Sequence, residues 1–295
     1  MKRAIIVGAD GQDGRILFDR LAAEGCAVLG LCRRSARTAG AGVRAAVDIA
    51  DRAQVQAAVA DWQPDGVFYL AAFHHSSEEN AGSDPLELFD RSHAVHVRGL
   101  LHFLEAIRSA SRHTRLFYAA SSLVFGAPAA PLLDEATPMN PRCIYGITKA
   151  AGIHCCRFYR ENHGVFAAGG ILFNHESRHR QERFVSQKII RAARSIAGGE
   201  KRKLILGDLS ARIDWGYAPD FVDAMLRILS LDAAEDFVVA TGESHSVEEF
   251  VEAAFARHGL DWRAHVVEEP ALLHRKRPVM VGDADRKSTR LNSSH

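Results

Sequence analysis

Short apolar runs alternate with amphipathic stretches along the first part of the chain, and the alternation loosens beyond Phe173. Residues 3–7, 27–32, 43–47, 66–70, 115–119 and 165–172 are brief and almost continuously apolar, as strands buried on both faces are. Apolar positions recur at helical spacing over residues 12–24, and Gly25 is the kind of residue that ends a helix. Asp51 opens a second helix carrying Val55, Ala58 and Val59. Ser83-Asp84-Pro85 pairs a capping residue with a proline at a helix start. Val97, Leu100, Leu101, Leu104 and Ile107 then form the apolar stripe of a long helix. Another helix is predicted near residues 145–161. Strands alternating with helices in this way predict an α/β, doubly wound parallel sheet of Rossmann-like type.

Later helices are predicted near 184–196, 218–229 and 247–257, with short strands at 203–206, 237–240 and 278–281. There is no linker, repeat or low-complexity stretch, so a smaller C-terminal substrate lobe is expected to grow out of the sheet as insertions. The expected division is residues 1–172 for the nucleotide-binding domain, with a returning segment near 212–240, and 173–284 for an interleaved lobe. The last eleven residues, DRKSTRLNSSH, lack apolar periodicity. They match the in-frame translation of a common sequencing-library adapter, and residues 285–295 are expected not to be native. Composition also allows a natural polar tail.

Composition narrows the partners. With 295 residues, 47% hydrophobic and 25% charged, the chain can bury one large core. A formal charge of +1 creates no global field for nucleic acid or membrane surfaces, so phosphate recognition must be local. The apolar run after Met1-Lys2-Arg3 is too short for a signal peptide, and no run approaches the roughly 20 residues of a membrane span. Five cysteines without metal-ligand spacing read as reduced thiols, and the chain is expected in the cytoplasm with no metal.

Gly8, Gly11 and Gly14 follow the first strand and open the first helix. A dinucleotide pyrophosphate needs a tight turn, close backbone approach and the free N–H groups of a helix start, which this spacing supplies. At the end of the second strand, where an acid would select NAD, the chain carries Cys32-Arg33-Arg34-Ser35; arginine there suits the 2′-phosphate of NADP. Asp48, after the third strand, is either an adenine-side contact or a helix cap. Tyr145 and Lys149 stand one turn apart on a predicted helix. A tyrosine of pKa about 10 needs a nearby cation to exchange protons near neutrality. Ser121 and Ser122 follow a sheet strand, where a hydroxyl could hold the same substrate oxygen.

With the Leu70-Ala71-Ala72 strand end, these motifs resemble the extended short-chain dehydrogenase/reductases that modify nucleotide sugars, and within them the GDP-mannose 4,6-dehydratase family. Gly8-Ala9-Asp10-Gly11-Gln12-Asp13-Gly14 is similar to that family's phosphate turn, and Arg33-Arg34-Ser35 to its NADP-selective segment. The strings 170–177 (GILFNHES), 214–216 (DWG) and 240–247 (ATGESHSV) resemble three more of its motifs. The resemblance spans residues 1–284. It implies Ser121 as the orienting hydroxyl, Tyr145 as acid/base and Lys149 as its partner. NADP would lie against Gly8, Gly11, Gln12, Asp13, Gly14, Arg33, Arg34, Ser35, Asp48, Ile49, Leu70, Ala71, Ala72, Tyr145, Lys149 and His175. The nucleotide sugar would meet Ser122, Asn174, Lys188 and Arg212, in a homo-oligomer of two or four chains.

The chain departs from the family at four places. Leu123 occupies the position of the glutamate that removes the C5 proton, and losing a positioned base typically costs about 10²–10⁴-fold in rate. Ile213 replaces a diphosphate-binding arginine, with Arg212 beside it. Residues 273–278 (LHRKRP) do not keep the family's Arg-Pro-x-Glu contact, and His96 stands where an asparagine is usual. Three readings follow: a dehydratase with its base elsewhere, His74 or His75 being candidates unless they are simply a surface loop; a C4 oxidoreductase or epimerase; or an NADP-binding scaffold or sensor, for which Tyr145 and Lys149 would be unnecessary.

Overall fold

The computed structural model describes residues 1–32, 38–39, 42–74, 84–272 and 278–285. In chain order these form β1 (Arg3–Val7), α1 (Gln12–Ala23), β2 (Ala27–Cys32), β3 (Thr38–Ala39), β4 (Gly42–Ala46), α2 (Arg52–Trp62), β5 (Gly66–Tyr69) and α3 (Pro85–His93). A π-helical turn, Ala94–Arg98, leads into α4 (Gly99–Ala110), β6 (Arg115–Ala119), a 3-10 turn (Ser122–Val124), β7 (Leu132–Leu133), α5 (Ile144–His163) and β8 (Ala167–Leu172). Then come β9 (Asn174–Glu176), α6 (Val185–Ala197), β10 (Leu204–Leu206), β11 (Arg212–Ile213), β12 (Trp215–Tyr217), α7 (Ala218–Ser230) and β13 (Asp236–Val239). The described chain ends with β14 (His245–Ser246), α8 (Val247–Ala256), β15 (Val266–Glu268) and β16 (Val281–Gly282).

Alternate side chains of β1 explain the layering. Ile5 and Val7 point into one core with Val55 and Val59 of α2, Leu100, Phe103 and Leu104 of α4, and Ile153 of α5. Ala4 and Ile6 point into the other, with Leu17, Phe18 and Leu21 of α1 and Phe221, Val222 and Met225 of α7. Each large apolar side chain so buried contributes roughly 1.5–3 kcal/mol, which holds a helix layer on each face. The sheet order is β13-β8-β6-β5-β1-β2-β4-β3, parallel throughout except the β3–β4 edge pair. The chain steps outward from β1 to β4, then returns to β5 and proceeds the other way. A crevice therefore opens at the carboxyl ends of β1 and β5, where ligands bind in open sheets of this kind.

A third core lies outside the sheet, where Ile189 and Ala193 of α6 meet Leu204, Leu206, Val251, Phe255 and Trp262. Between its halves the chain goes back to the sheet: α7 packs on α1, and β13 pairs with β8. Asp214, just before α7, is buried and accepts hydrogen bonds from the Thr241 hydroxyl and from the N–H groups of Thr241, Gly242 and Gly282. Among the described residues no helix is long and apolar enough to cross a membrane.

Three predicted elements differ. The long helix is interrupted by the π turn. The strand expected at 165–172 starts at Ala167, and that at 278–281 shrinks to Val281–Gly282, where β7 offers two partners. Residues 286–295 of the tail lie outside the described residues.

Candidate active site

The crevice is a cleft of about 1470 Å³, walled by the sheet's carboxyl ends on one side and by β9, α6 and the lobe on the other. This exceeds the roughly 300–1,000 Å³ typical of a single drug-sized ligand, leaving space for a dinucleotide beside a second nucleotide. Gly8 has φ +90°, and a Cβ there would stand 2.9 Å from the Ala71 nitrogen. Gly11 begins α1 without a capping oxygen, so the first-turn N–H groups open toward the cleft that Gly11, Gln12 and Asp13 line. The turn therefore fits a pyrophosphate. Gly14 does not line the cleft; a Cβ on it would meet the Gly8 carbonyl oxygen at 2.4 Å, so its bareness lets helix and turn pack.

Asp48, Ile49, Leu70, Ala71 and Ala72 also line the cleft. The Asp48 carboxylate accepts from the Ala50 N–H at 2.9 Å, while Asp51 caps α2 through Ala53 and Gln54. Arg33, Arg34 and Ser35 lie outside the described residues.

The phosphate turn is tied to the strand after β8. His175 donates from Nδ1 to the Phe173 carbonyl at 2.7 Å, and its Nε2 meets both Asp13 oxygens at 3.0 Å. Gln12 donates to the His175 carbonyl and accepts from Ser177. Burial works against both charges, yet the Asp13–His175 pairing holds the carboxyl below its ordinary range and the imidazolium above its own.

Tyr145 and Lys149 both enter the cleft from the first turns of α5. Lys149 is almost wholly buried, donates to the Ala119 carbonyl at 2.7 Å and lies 5.7 Å from the centre of the Tyr145 ring. Burial lowers its ammonium to about 7. Burial also pushes the Tyr145 phenol up, against a smaller downward pull from Arg180. The expected lowering of the tyrosine by its lysine does not appear: desolvation dominates both groups, and the lysine carries the value nearest neutrality. Ser121 lines the cleft and accepts from the Leu123 N–H at 3.3 Å.

His96 is fully buried behind Tyr145, its ring 5.0 Å away. The Phe73 N–H donates to Nε2, so the proton belongs on Nδ1, which donates to the Thr148 hydroxyl at 2.8 Å. Thr148 donates in turn to the Ile144 carbonyl. The chain joins the loop after β5 to the helix that carries Tyr145.

On the lobe side, Asn174, Lys188 and Arg212 line the cleft, with Arg212 bonded to the Ser244 carbonyl and to Glu249. Ser122, expected to meet the substrate, does not: it is buried in the 3-10 turn that follows Ser121. Leu123 and His74 are on the wall near Tyr145, whereas His75 is outside the described residues. Arg180, Arg183 and Phe184 also line the cleft, Arg180 resting 3.7 Å above the Phe184 ring. Sequence reasoning passed over them, although the basic run 178–183 (RHRQER) directly after the Asn-His-Glu-Ser string was the signal.

The chain is similar to known proteins over most of its length. A GDP-mannose 4,6 dehydratase family model matches residues 5–290. GDP-mannose 4,6 dehydratase 2 of Arabidopsis thaliana is 37% identical over 285 residues, covering 90% of this chain and 74% of the relative. GDP-mannose 4,6-dehydratase of Sinorhizobium fredii is 33% identical, covering 91% and 80%. Among solved structures, UDP-glucose 4-epimerase from Brucella ovis, in complex with NAD, superposes with a TM-score of 0.81 at 20% identity over 99% of this chain and 93% of that one. dTDP-glucose 4,6-dehydratase from Bacillus anthracis does so with 0.81 at 14% identity, over 99% and 91%. Those two likenesses establish the shared fold, and the sequence relationships establish the rest: the chain belongs to the GDP-mannose 4,6-dehydratase family of nucleotide-sugar dehydratases.

Proposed function

We propose that the protein is a cytoplasmic, NADP-dependent enzyme that converts GDP-mannose to its 4-keto-6-deoxy form with loss of water. The observation that carries this reading is the convergence of Ser121, Tyr145 and Lys149 on a cleft that the phosphate turn and the basic side chains Arg180, Arg183, Lys188 and Arg212 also line. Gly8, Gly11, Gln12, Asp13, Asp48, Ile49 and Leu70–Ala72 would hold the dinucleotide, and Arg33 and Arg34 would select its 2′-phosphate. When bound, it supplies a hydride acceptor for C4 and a hydride donor for C6. Tyr145 takes the C4 hydroxyl proton, Ser121 holds the same oxygen, and Lys149 exchanges protons with the phenol at a value near neutrality. Asn174 and the basic side chains orient the nucleotide diphosphate.

The test is incubation with GDP-mannose and NADP⁺. Loss of one water from the sugar nucleotide without net NADPH accumulation is expected; an unchanged mass overturns the reading. A 4-ketoreductase or epimerase is the second reading, favoured by Leu123, which puts no proton acceptor beside Ser121. Turnover of 4-keto sugar nucleotides by NADPH without dehydration would select it. A homo-oligomer of two or four chains is supported by Ile147 and Phe158, 44% and 52% exposed and about three turns apart on α5. Sedimentation at micromolar concentration should give a dimer or larger; a monomer counts against it.

A further inference from the structure

We propose that His74 is the base that removes the C5 proton of the sugar, an inference that rests on the dehydratase reading above. Elimination of water next to a newly formed C4 ketone requires a proton to leave the adjacent carbon, C5. C5 is bonded to C4, whose oxygen Tyr145 serves, so the base must stand beside the Tyr145 ring. Leu123, nearby on the wall, accepts no proton.

The carboxylates that line the cleft are held elsewhere. Asp13 faces His175, Asp10 pairs with Arg44, and Asp48 takes the Ala50 N–H. Glu176 takes the Ser186 hydroxyl and pairs with Arg180, and Asp208 takes the Ser210 hydroxyl. Of the imidazoles, His175 is committed at both nitrogens, and His179 takes a hydrogen bond from Arg178. His96 touches Tyr145 but is fully buried behind it, with both nitrogens engaged. Among the described imidazoles that line the cleft, His74 is the one in ring contact with Tyr145, at 5.2 Å between centroids, and it is this position that selects it. Its ring also meets that of Phe184, 5.1 Å away. The backbone leading into it is fixed: the Phe73 N–H is bonded to His96, and Arg91 lies 4.2 Å over the Phe73 ring. A base must be positioned as well as present, and this anchoring supplies the position.

In the step, the C5–H bond breaks and its proton goes to a ring nitrogen of His74. The electron pair left on C5 forms the C5=C6 double bond as the C6–O bond breaks. The departing hydroxide takes the proton that Tyr145 received from the C4 hydroxyl and leaves as water. As C6 receives the hydride that left C4, the C5=C6 electron pair takes the imidazolium's proton at C5, so the side chains return to their starting state and the sugar has lost one water.

The test separates this step from hydride transfer by using the 4-keto-6-deoxy product of GDP-mannose, whose C5 proton is already acidic. Incubated in D₂O with the NADP⁺-loaded protein, it should lose its C5 proton signal in NMR spectra. His74→Phe keeps an aromatic ring against Tyr145 and Phe184 but carries no base. It is expected to slow C5 exchange by about 10²–10⁴-fold while retaining affinity for the sugar nucleotide and an unchanged melting curve. C5 exchange at the wild-type rate in His74→Phe overturns the proposal while leaving the dehydratase reading intact. A wild-type protein that neither dehydrates GDP-mannose nor exchanges C5 overturns both.

Discussion

Lys149 shows what a reactive side chain costs the fold that holds it. Its amine gives up a proton at about 7 in the folded chain and at 10.5 when unfolded. Between those values the unfolded state binds the extra proton, so raising the pH favours folding, and below about 7 the full burial penalty applies. Lys149→Met removes that penalty along with the proton exchange. The variant is expected to be inactive, to melt above the wild type at pH 7, and to lose that advantage as the pH climbs toward 10.5. Melting curves for both proteins across this range check it; a constant difference would contradict the linkage. Gly8 offers a simpler case. With φ +90° and the Ala71 nitrogen 2.9 Å from any Cβ, Gly8→Ala should lower stability by about 1–3 kcal/mol and weaken NADP binding, measured by denaturant titration and calorimetry.

The pairing between the opening of α1 and β9 makes a pH-dependent seam. Asp13 is held below its ordinary 3.8, so its contribution is present above that pH and lost as acid protonates it in the fold. His175 is held above its ordinary 6.5, so its contribution is whole below that pH and is lost as alkali discharges the ring. His175→Asn should therefore cost most stability between about pH 4 and 6.5 and progressively less above, checked by denaturant titrations at several pH values. At the scale of these elements, β1, β2 and β6 were legible because continuous apolar runs of four to six residues next to turn and helix signals have few other readings. The pairings β9–β12 and β7–β16 were not: two or three residues carry no periodicity, and their partners lie far along the chain. The same limit hid the burial of Ser122. One step along a turn decides which hydroxyl reaches the cleft, and adjacent serines look alike in sequence. His96 was visible as an odd residue, but its bonds to Phe73 and Thr148 depend on the π turn that lifts it behind Tyr145.

Across the whole molecule, two cores on the sheet and one in the lobe enclose a cleft whose two walls come from different parts of the chain. NADP bound across the turn should stabilise the fold by mass action, about 2.7 kcal/mol at a hundredfold excess over Kd, with NAD giving less; thermal shift measurements compare the two. The buried carboxylate of Asp214 adds a consequence for how the protein is made. Its four donors come from Thr241, Gly242 and Gly282. A growing chain that has just released His175 already contains both partners of the Asp13 seam, so the phosphate turn can lock early. The Asp214 carboxylate must wait for about a hundred more residues before its last donor emerges. During synthesis the Asp13–His175 seam can therefore close before Asp214 has its donors, and α7, which packs on α1, emerges between the two events.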